Sequence, residues 1–155
     1  MRKKGFTLVE LLAVIVVLGI IMTIAGTAVL GQRRKANEEE AKKIEQTLAD
    51  LGPGIYAYEN TFGSSDEYSF KSLYKSEDDF IIQLDELKKG GYIDKIDNPF
   101  GGEDCNAYLL VNPNANDSED MFKGYLNCGD QNYKTDGYDD HDESTTATLT
   151  QTTQN

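Results

Sequence analysis

The chain has 155 residues, with 15 Lys and Arg against 27 Asp and Glu, three prolines, fourteen glycines, two cysteines and no tryptophan. That length allows one ordinary domain with short additions. A net charge of −12 argues against nonspecific binding to nucleic-acid phosphates or anionic lipid heads, since both require surfaces rich in Lys and Arg, and no direct nucleic-acid contact is expected.

The charge is unevenly divided. Residues 1–32 carry Arg2, Lys3, Lys4 and Glu10, net +2, whereas residues 33–155 are net −14. From Leu11 to Gln32 run 22 consecutive uncharged residues, mostly aliphatic. At ~1.5 Å per residue, a helix of that length spans the roughly 30 Å hydrocarbon core of a bilayer, so the run reads as a membrane helix. The basic residues before it keep the N-terminus cytoplasmic and send the acidic remainder outward, an orientation that Arg33, Arg34 and Lys35 on the far side weaken. The competing reading is a cleaved secretory signal ending near Gly26-Thr27-Ala28. Such signals have apolar stretches of about 7 to 15 residues, shorter than this one, and they give no reason for Glu10. A carboxylate at the start of a membrane helix points to a partner.

The stretch Lys4-Gly5-Phe6-Thr7-Leu8-Val9-Glu10-Leu11-Leu12 resembles the processing motif of type IV prepilins and the related pseudopilins. The resemblance implies an α+β type IV pilin fold, in which a long N-terminal helix packs on a small C-terminal antiparallel sheet. It also implies that a prepilin peptidase cuts after Gly5 and N-methylates Phe6. Residues 1–5 are then a leader, residues 6–32 a transmembrane and filament-core helix, and residues 33–143 an amphipathic helix and globular head. The processed chain would carry −15. In the family the carboxylate that Glu10 matches pairs with the terminal amine, here that of Phe6, on another subunit. Such a buried pair adds little net stability, but an unpaired charge there is costly, so the pair acts as a register device. The partners implied are further copies in a helical filament, the prepilin peptidase, an assembly ATPase and a membrane platform protein. No cofactor is implied. Gly19, Thr23, Thr27 and Gly31 form a small-residue stripe that would let helices approach closely, although such residues are common in any single span.

Beyond Gln32, Ala36, Ala41, Ile44, Leu48 and Leu51 recur at helical spacing among charged residues, so the helix is expected to continue. Gly52-Pro53-Gly54 predicts a stop or a kink. A second helix is expected over Glu77–Lys89, with Ser76 as N-cap, acids in its first turn, Lys88 and Lys89 in its last, and Phe80, Ile81, Leu84 and Leu87 on its buried face. The residues from Tyr92 to Gly102 resemble the turn that leads into the sheet in many pilins. Strands are expected over Ala107–Asn112 and Met121–Asn127, with a short third one around Gln131–Lys134.

If the first two strands form a hairpin of constant register, the pairing that sets Asn112 opposite Met121 also sets Cys105 opposite Cys128. For an outward-facing head, this predicts a Cys105–Cys128 disulfide. Two reduced thiols and metal ligation stand as alternatives, the latter usually needing more Cys or His. The acids Asp136, Asp139, Asp140, Asp142 and Glu143 form either a solvated loop or a set of hard oxygen ligands for calcium. Their spacing departs from an EF-hand begun at Asp130, because Lys134 and Thr135 stand at required positions. The family resemblance adds that some pseudopilins bind calcium near this part of the fold. His141 is the sole histidine, with no nucleophile placed beside it by any motif and no phosphate loop in the chain, so no enzyme activity is expected. Asn116-Asp117-Ser118 matches a glycosylation acceptor pattern. Ser144–Asn155 contains six threonines, no charge and a single apolar anchor, Leu149, and is expected to be disordered.

The first functional expectation is a type IV pilus subunit for adhesion, motility or biofilm formation, held in the cell membrane and then assembled outside the cell. The alternative is a pseudopilin of a type II secretion or DNA-uptake machine. A third reading, from a different class, is a secreted or membrane-anchored calcium-binding domain.

Overall fold

The structure is a computed structural model that describes residues 7–129, 132–141 and 145–151, with the backbone alone over residues 24–28. The leader, Gly5 and Phe6, together with Asp130, Gln131, Asp142, Glu143, Ser144 and residues 152–155, lie outside the described residues. The element order is α1 (Leu8–Phe62), α2 (Phe70–Leu73), β1 (Phe80–Gln83), α3 (Leu84–Lys89), β2 (Asn106–Val111), α4 (Ser118–Met121) and β3 (Phe122–Asn127), followed by a 3₁₀ turn over Tyr138–Asp140. The chain divides into two compact units, Met1–Asn37 and Glu38–Asn155.

In the first unit α1 presents Leu8, Val9, Leu11, Leu12, Val14, Ile15 and their successors at about half exposure or more. Among the described residues no helix is long and apolar enough to cross a membrane. The apolar run expected to span one passes through residues 24–28, whose side chains are not among those described.

In the second unit a three-stranded antiparallel sheet of order β1-β2-β3 carries the C-terminal half of α1 on one face, the α+β arrangement implied by the family resemblance. Ala41, Leu48, Ile55 and Glu59 are fully buried, and their spacings of seven and four residues place them on one stripe of α1. Two glycines permit this approach. A Cβ on Gly124 of β3 would lie 2.1 Å from the Glu45 carbonyl oxygen and 2.8 Å from the Leu48 Cβ, and one on Gly52 of α1 would lie 2.2 Å from the Phe122 ring. Helix and strand therefore meet backbone to side chain.

Of the stop or kink expected at Gly52-Pro53-Gly54, the stop does not occur, for α1 runs through Pro53 to Phe62. Pro53 is exposed, so its ring sits in solvent and the helix forgoes one hydrogen bond. Burial of Leu48, Gly52 and Ile55 on the sheet offsets that loss.

The helix expected over Glu77–Lys89 is also corrected. Only Leu84–Lys89 is helical, and Phe80–Gln83 forms the edge strand β1, pairing Phe80 with Val111 and Gln83 with Tyr108. Glu77, expected in the first turn, adopts a left-handed φ of 65° that no helix accommodates. The hairpin register is the expected one, with Asn106 opposite Asn127 and Val111 opposite Phe122. The short third strand is reduced to an antiparallel bridge between Asn127 and Lys134.

The C-terminal segment departs most from expectation. Instead of being disordered, the described residues 145–151 dock on the head, with parallel bridges from Thr146 to Ile81 on the outer edge of β1 and from Thr148 to Ser69. Ala147 is fully buried and Leu149 is 5% exposed, both within the main core. Burying these two side chains contributes ~2–3 kcal/mol, against ~1–2 kcal/mol of backbone entropy for every residue fixed. Hydrogen bonds therefore decide whether the segment docks.

Candidate functional site: the N-terminal motif and its head

Thr7 and Glu10 begin α1 as a reciprocal cap. The Thr7 backbone N–H and hydroxyl donate to Glu10 Oε2 at 2.9 and 3.0 Å, and the Glu10 N–H donates to Thr7 Oγ1 at 3.4 Å. This is a capping box, written in the sequence as Thr-x-x-Glu directly before an apolar run. The reading of Glu10 solely as an intersubunit carboxylate missed it. Within a single chain Thr7 holds the charge, and the carboxylate stays on the helix surface, open to a second donor. Gly5 and Phe6, the processing positions and the other half of the expected pair, lie outside the described residues.

Along the same helix, a Cβ at Gly19 or Gly31 would meet nothing within 4 Å, so both glycines present open backbone on the surface. Thr23 donates to the Ile20 carbonyl at 2.7 Å, which removes its hydroxyl from competition for other partners. Thr27, the remaining member of the stripe, falls among the residues described by backbone alone.

In the head, Cys105 and Cys128 form a disulfide across the first pair beyond the hairpin ladder, with Cα atoms 4.3 Å apart. Closing a loop of this size stabilises a fold by ~3 kcal/mol. On the sheet face opposite α1, Tyr108 stacks on Tyr125 at 4.9 Å between centroids and packs against Tyr138 at 5.0 Å. The Tyr108 hydroxyl donates to the Tyr138 carbonyl at 2.7 Å. His141 lies 3.2 Å from the Tyr125 hydroxyl and edge-on to both rings. Burial, with the Glu45 carboxylate nearby, pushes the Tyr133 phenol up to about 12. Burial also raises the phenols of Tyr108 and Tyr125.

Asp136, Asp139 and Asp140 are exposed, and Lys134 pairs with Asp139 at 2.5 Å. Among the described residues no group of three His, Cys, Asp or Glu side chains is placed to hold a metal, and Asp142 and Glu143 lie outside them. Asn116 is exposed, in a loop where the Asp117 carboxylate caps α4 by accepting from the Asp120 N–H.

Glu59, which the sequence reading did not single out, is the one fully buried acid among the described residues of the head. Its carboxylate accepts from the Thr150 N–H at 2.9 Å, the Thr150 hydroxyl at 3.0 Å and the Tyr92 hydroxyl at 3.5 Å. Burial and the neighbouring Glu59 raise the Tyr92 phenol above its ordinary range. The signal for Glu59 was positional, since it falls one turn beyond Ile55 on the apolar stripe of α1.

Comparison with known proteins bears on the N-terminal motif directly. Residues 1–26 match the model of the prokaryotic N-terminal methylation motif. The chain therefore carries the N-terminal methylation motif of prepilin-type proteins. It is 28% identical over 123 residues to type II secretion system core protein G of Pectobacterium carotovorum subsp. carotovorum, covering 78% of this chain and 74% of that protein. The core protein G of Klebsiella pneumoniae is 27% identical over 123 residues, covering 78% and 83%. That of Dickeya chrysanthemi is 27% identical over 143 residues, covering 92% and 84%. No solved structure gives a significant match. The relatives favour the pseudopilin alternative over the pilus subunit that the sequence reading placed first.

Proposed function

We propose that the chain is a structural, non-catalytic pseudopilin of a type II secretion-like machine. It is held in the membrane by its N-terminal helix, processed after Gly5 by a prepilin peptidase, and polymerised into a short filament whose core is the apolar face of α1. The observation that carries this reading is the combination of the methylation motif with similarity to core protein G that extends through the head. A motif shared by the whole family would not separate a pilus from a pseudopilus, whereas head similarity draws on residues outside it. The exposed apolar residues from Leu8 to Met22 give each copy a surface that must be covered, first by lipid and then by neighbouring helices in an open heterologous assembly. Partners of this kind include an assembly ATPase and a membrane platform protein. The acidic charge of the processed chain argues against direct contact with nucleic acid.

Deleting the gene tests the choice of machine. Loss of a defined set of proteins from the medium, with surface fibres unchanged, is the expected result. Loss of long surface fibres with secretion intact would return the pilus reading to first place.

A further inference from the structure

Segments from the C-terminal third of the chain bond to both edges of the head's sheet, at Ile81 of β1 and at the Leu126–Cys128 end of β3. On β3, Thr135 donates its N–H to the Leu126 carbonyl at 2.9 Å, and Cys128 donates to the Tyr133 carbonyl at 2.9 Å. On β1 the outward-facing groups of Ile81 are taken by the C-terminal segment. Ile81 N–H donates to the Thr145 carbonyl at 3.0 Å, and Ala147 N–H donates to the Ile81 carbonyl at 2.8 Å. The same segment ties in three further elements. Thr148 N–H donates to the Tyr68 carbonyl at 2.8 Å, Leu149 N–H to Glu86 Oε2 of α3 at 3.3 Å, and Thr150 to Glu59 of α1 through both its N–H and its hydroxyl.

This is strand addition to a sheet edge, with the ligand supplied by the chain itself. Ladder bonds are few, and two carboxylates stand where strand partners would otherwise be. Ala147 and Leu149 fill the core at alternate positions, and Thr150 is read by both oxygens of a fully buried carboxylate. That double contact fixes the register, because sliding the segment would leave the buried Glu59 with only the long Tyr92 contact. Beneath the segment, β1 is Phe80-Ile81-Ile82-Gln83, an apolar edge that is a template for pairing with another chain once uncovered.

We propose that residues 145–150 are a strap, locked in register by Glu59, that occupies a peptide site on the β1 edge and keeps that edge from pairing with a second copy of the chain. The site takes an extended, uncharged segment with small or aliphatic residues at alternate positions and a hydroxyl residue at the Glu59 position. It works on the head alone and does not depend on which machine the subunit serves.

The test uses the full-length protein in detergent micelles, with Glu59→Gln and Thr150→Val as variants. Amide hydrogen exchange is read at Ala147 through Thr150 and, as an internal control, at Leu109 and Leu126 in the hairpin. Self-association is followed by light scattering with and without excess synthetic peptide of residues 144–155. The expected result is at least tenfold faster exchange at the strap with unchanged exchange in the hairpin, accompanied by concentration-dependent association that the peptide suppresses. Thr150→Val leaves the buried carboxylate in place and is decisive if Glu59→Gln loosens the hairpin as well. Unchanged strap exchange in Thr150→Val would overturn the lock. A released strap on a protein that stays monodisperse, or association indifferent to the peptide, would overturn the protective role.

Discussion

The two units of this chain are built on opposite physical terms. Over Leu8–Met22 the helix satisfies its own backbone and leaves its aliphatic side chains exposed, so it is complete in secondary structure and incomplete in burial. The head, Glu38–Asn155, buries its own core and carries a disulfide, with segments bonded to both edges of its sheet. The difference teaches that assembly and stability are written in separate residues. A change in the first unit should alter what the chain joins, and a change in the second should alter whether the head stays folded.

The sharpest way to break this comparison is Glu10→Ala. Its carboxylate touches only Thr7 within the described chain, so filament yield should fall by an order of magnitude or more while the melting temperature of the head stays the same. A matching drop in head stability would show that the units are not separable. The opposite probe is the paired replacement of Cys105 and Cys128 by alanine. It should cost the head ~3 kcal/mol in chemical denaturation and leave cleavage after Gly5 untouched. A smaller effect of the same kind is expected for Gly124→Ala. The added methyl would lie 2.1 Å from the Glu45 carbonyl oxygen, forcing helix and strand apart at a cost of ~2 kcal/mol. Gly19→Ala is the control for that experiment, since its methyl meets nothing within 4 Å and the isolated chain should not register it.

The units also differ in how far the sequence discloses them. The N-terminal motif is local, and Thr7, Glu10 and the apolar run can be read in order along one helix. The hairpin and its disulfide were legible too, because antiparallel register is linear and carrying it from Asn112 and Met121 reaches the two cysteines. Failure came where the deciding contact is distant in sequence. Phe80, Ile81, Leu84 and Leu87 fit a helical face, but Phe80 and Ile81 are recruited by β2 and by a strap some 65 residues away along the chain. The strap itself reads as low-complexity threonine. Only the groove formed by β1, α3 and Glu59 explains why Ala147 and Leu149 alternate as they do. The continuation of α1 past Pro53 was not legible because the exposed face of Pro53 and the close approach of Gly52 to Phe122 are tertiary facts. Glu59 was passed over because an acid on a helix is ordinarily solvated, and its two shorter contacts come from Thr150, 91 residues further along the chain.

The central claim is that the first unit belongs to a processed, polymerising subunit. Its most direct test is the intact mass and N-terminal fragment spectrum of the protein taken from the membrane and from sheared envelope material. A chain that begins at N-methylated Phe6, carrying the Cys105–Cys128 bond, is the predicted result. A chain that retains Met1–Gly5 in both fractions, or that begins near Val29 in the medium, would contradict the account and remove the assembly role given to Glu10.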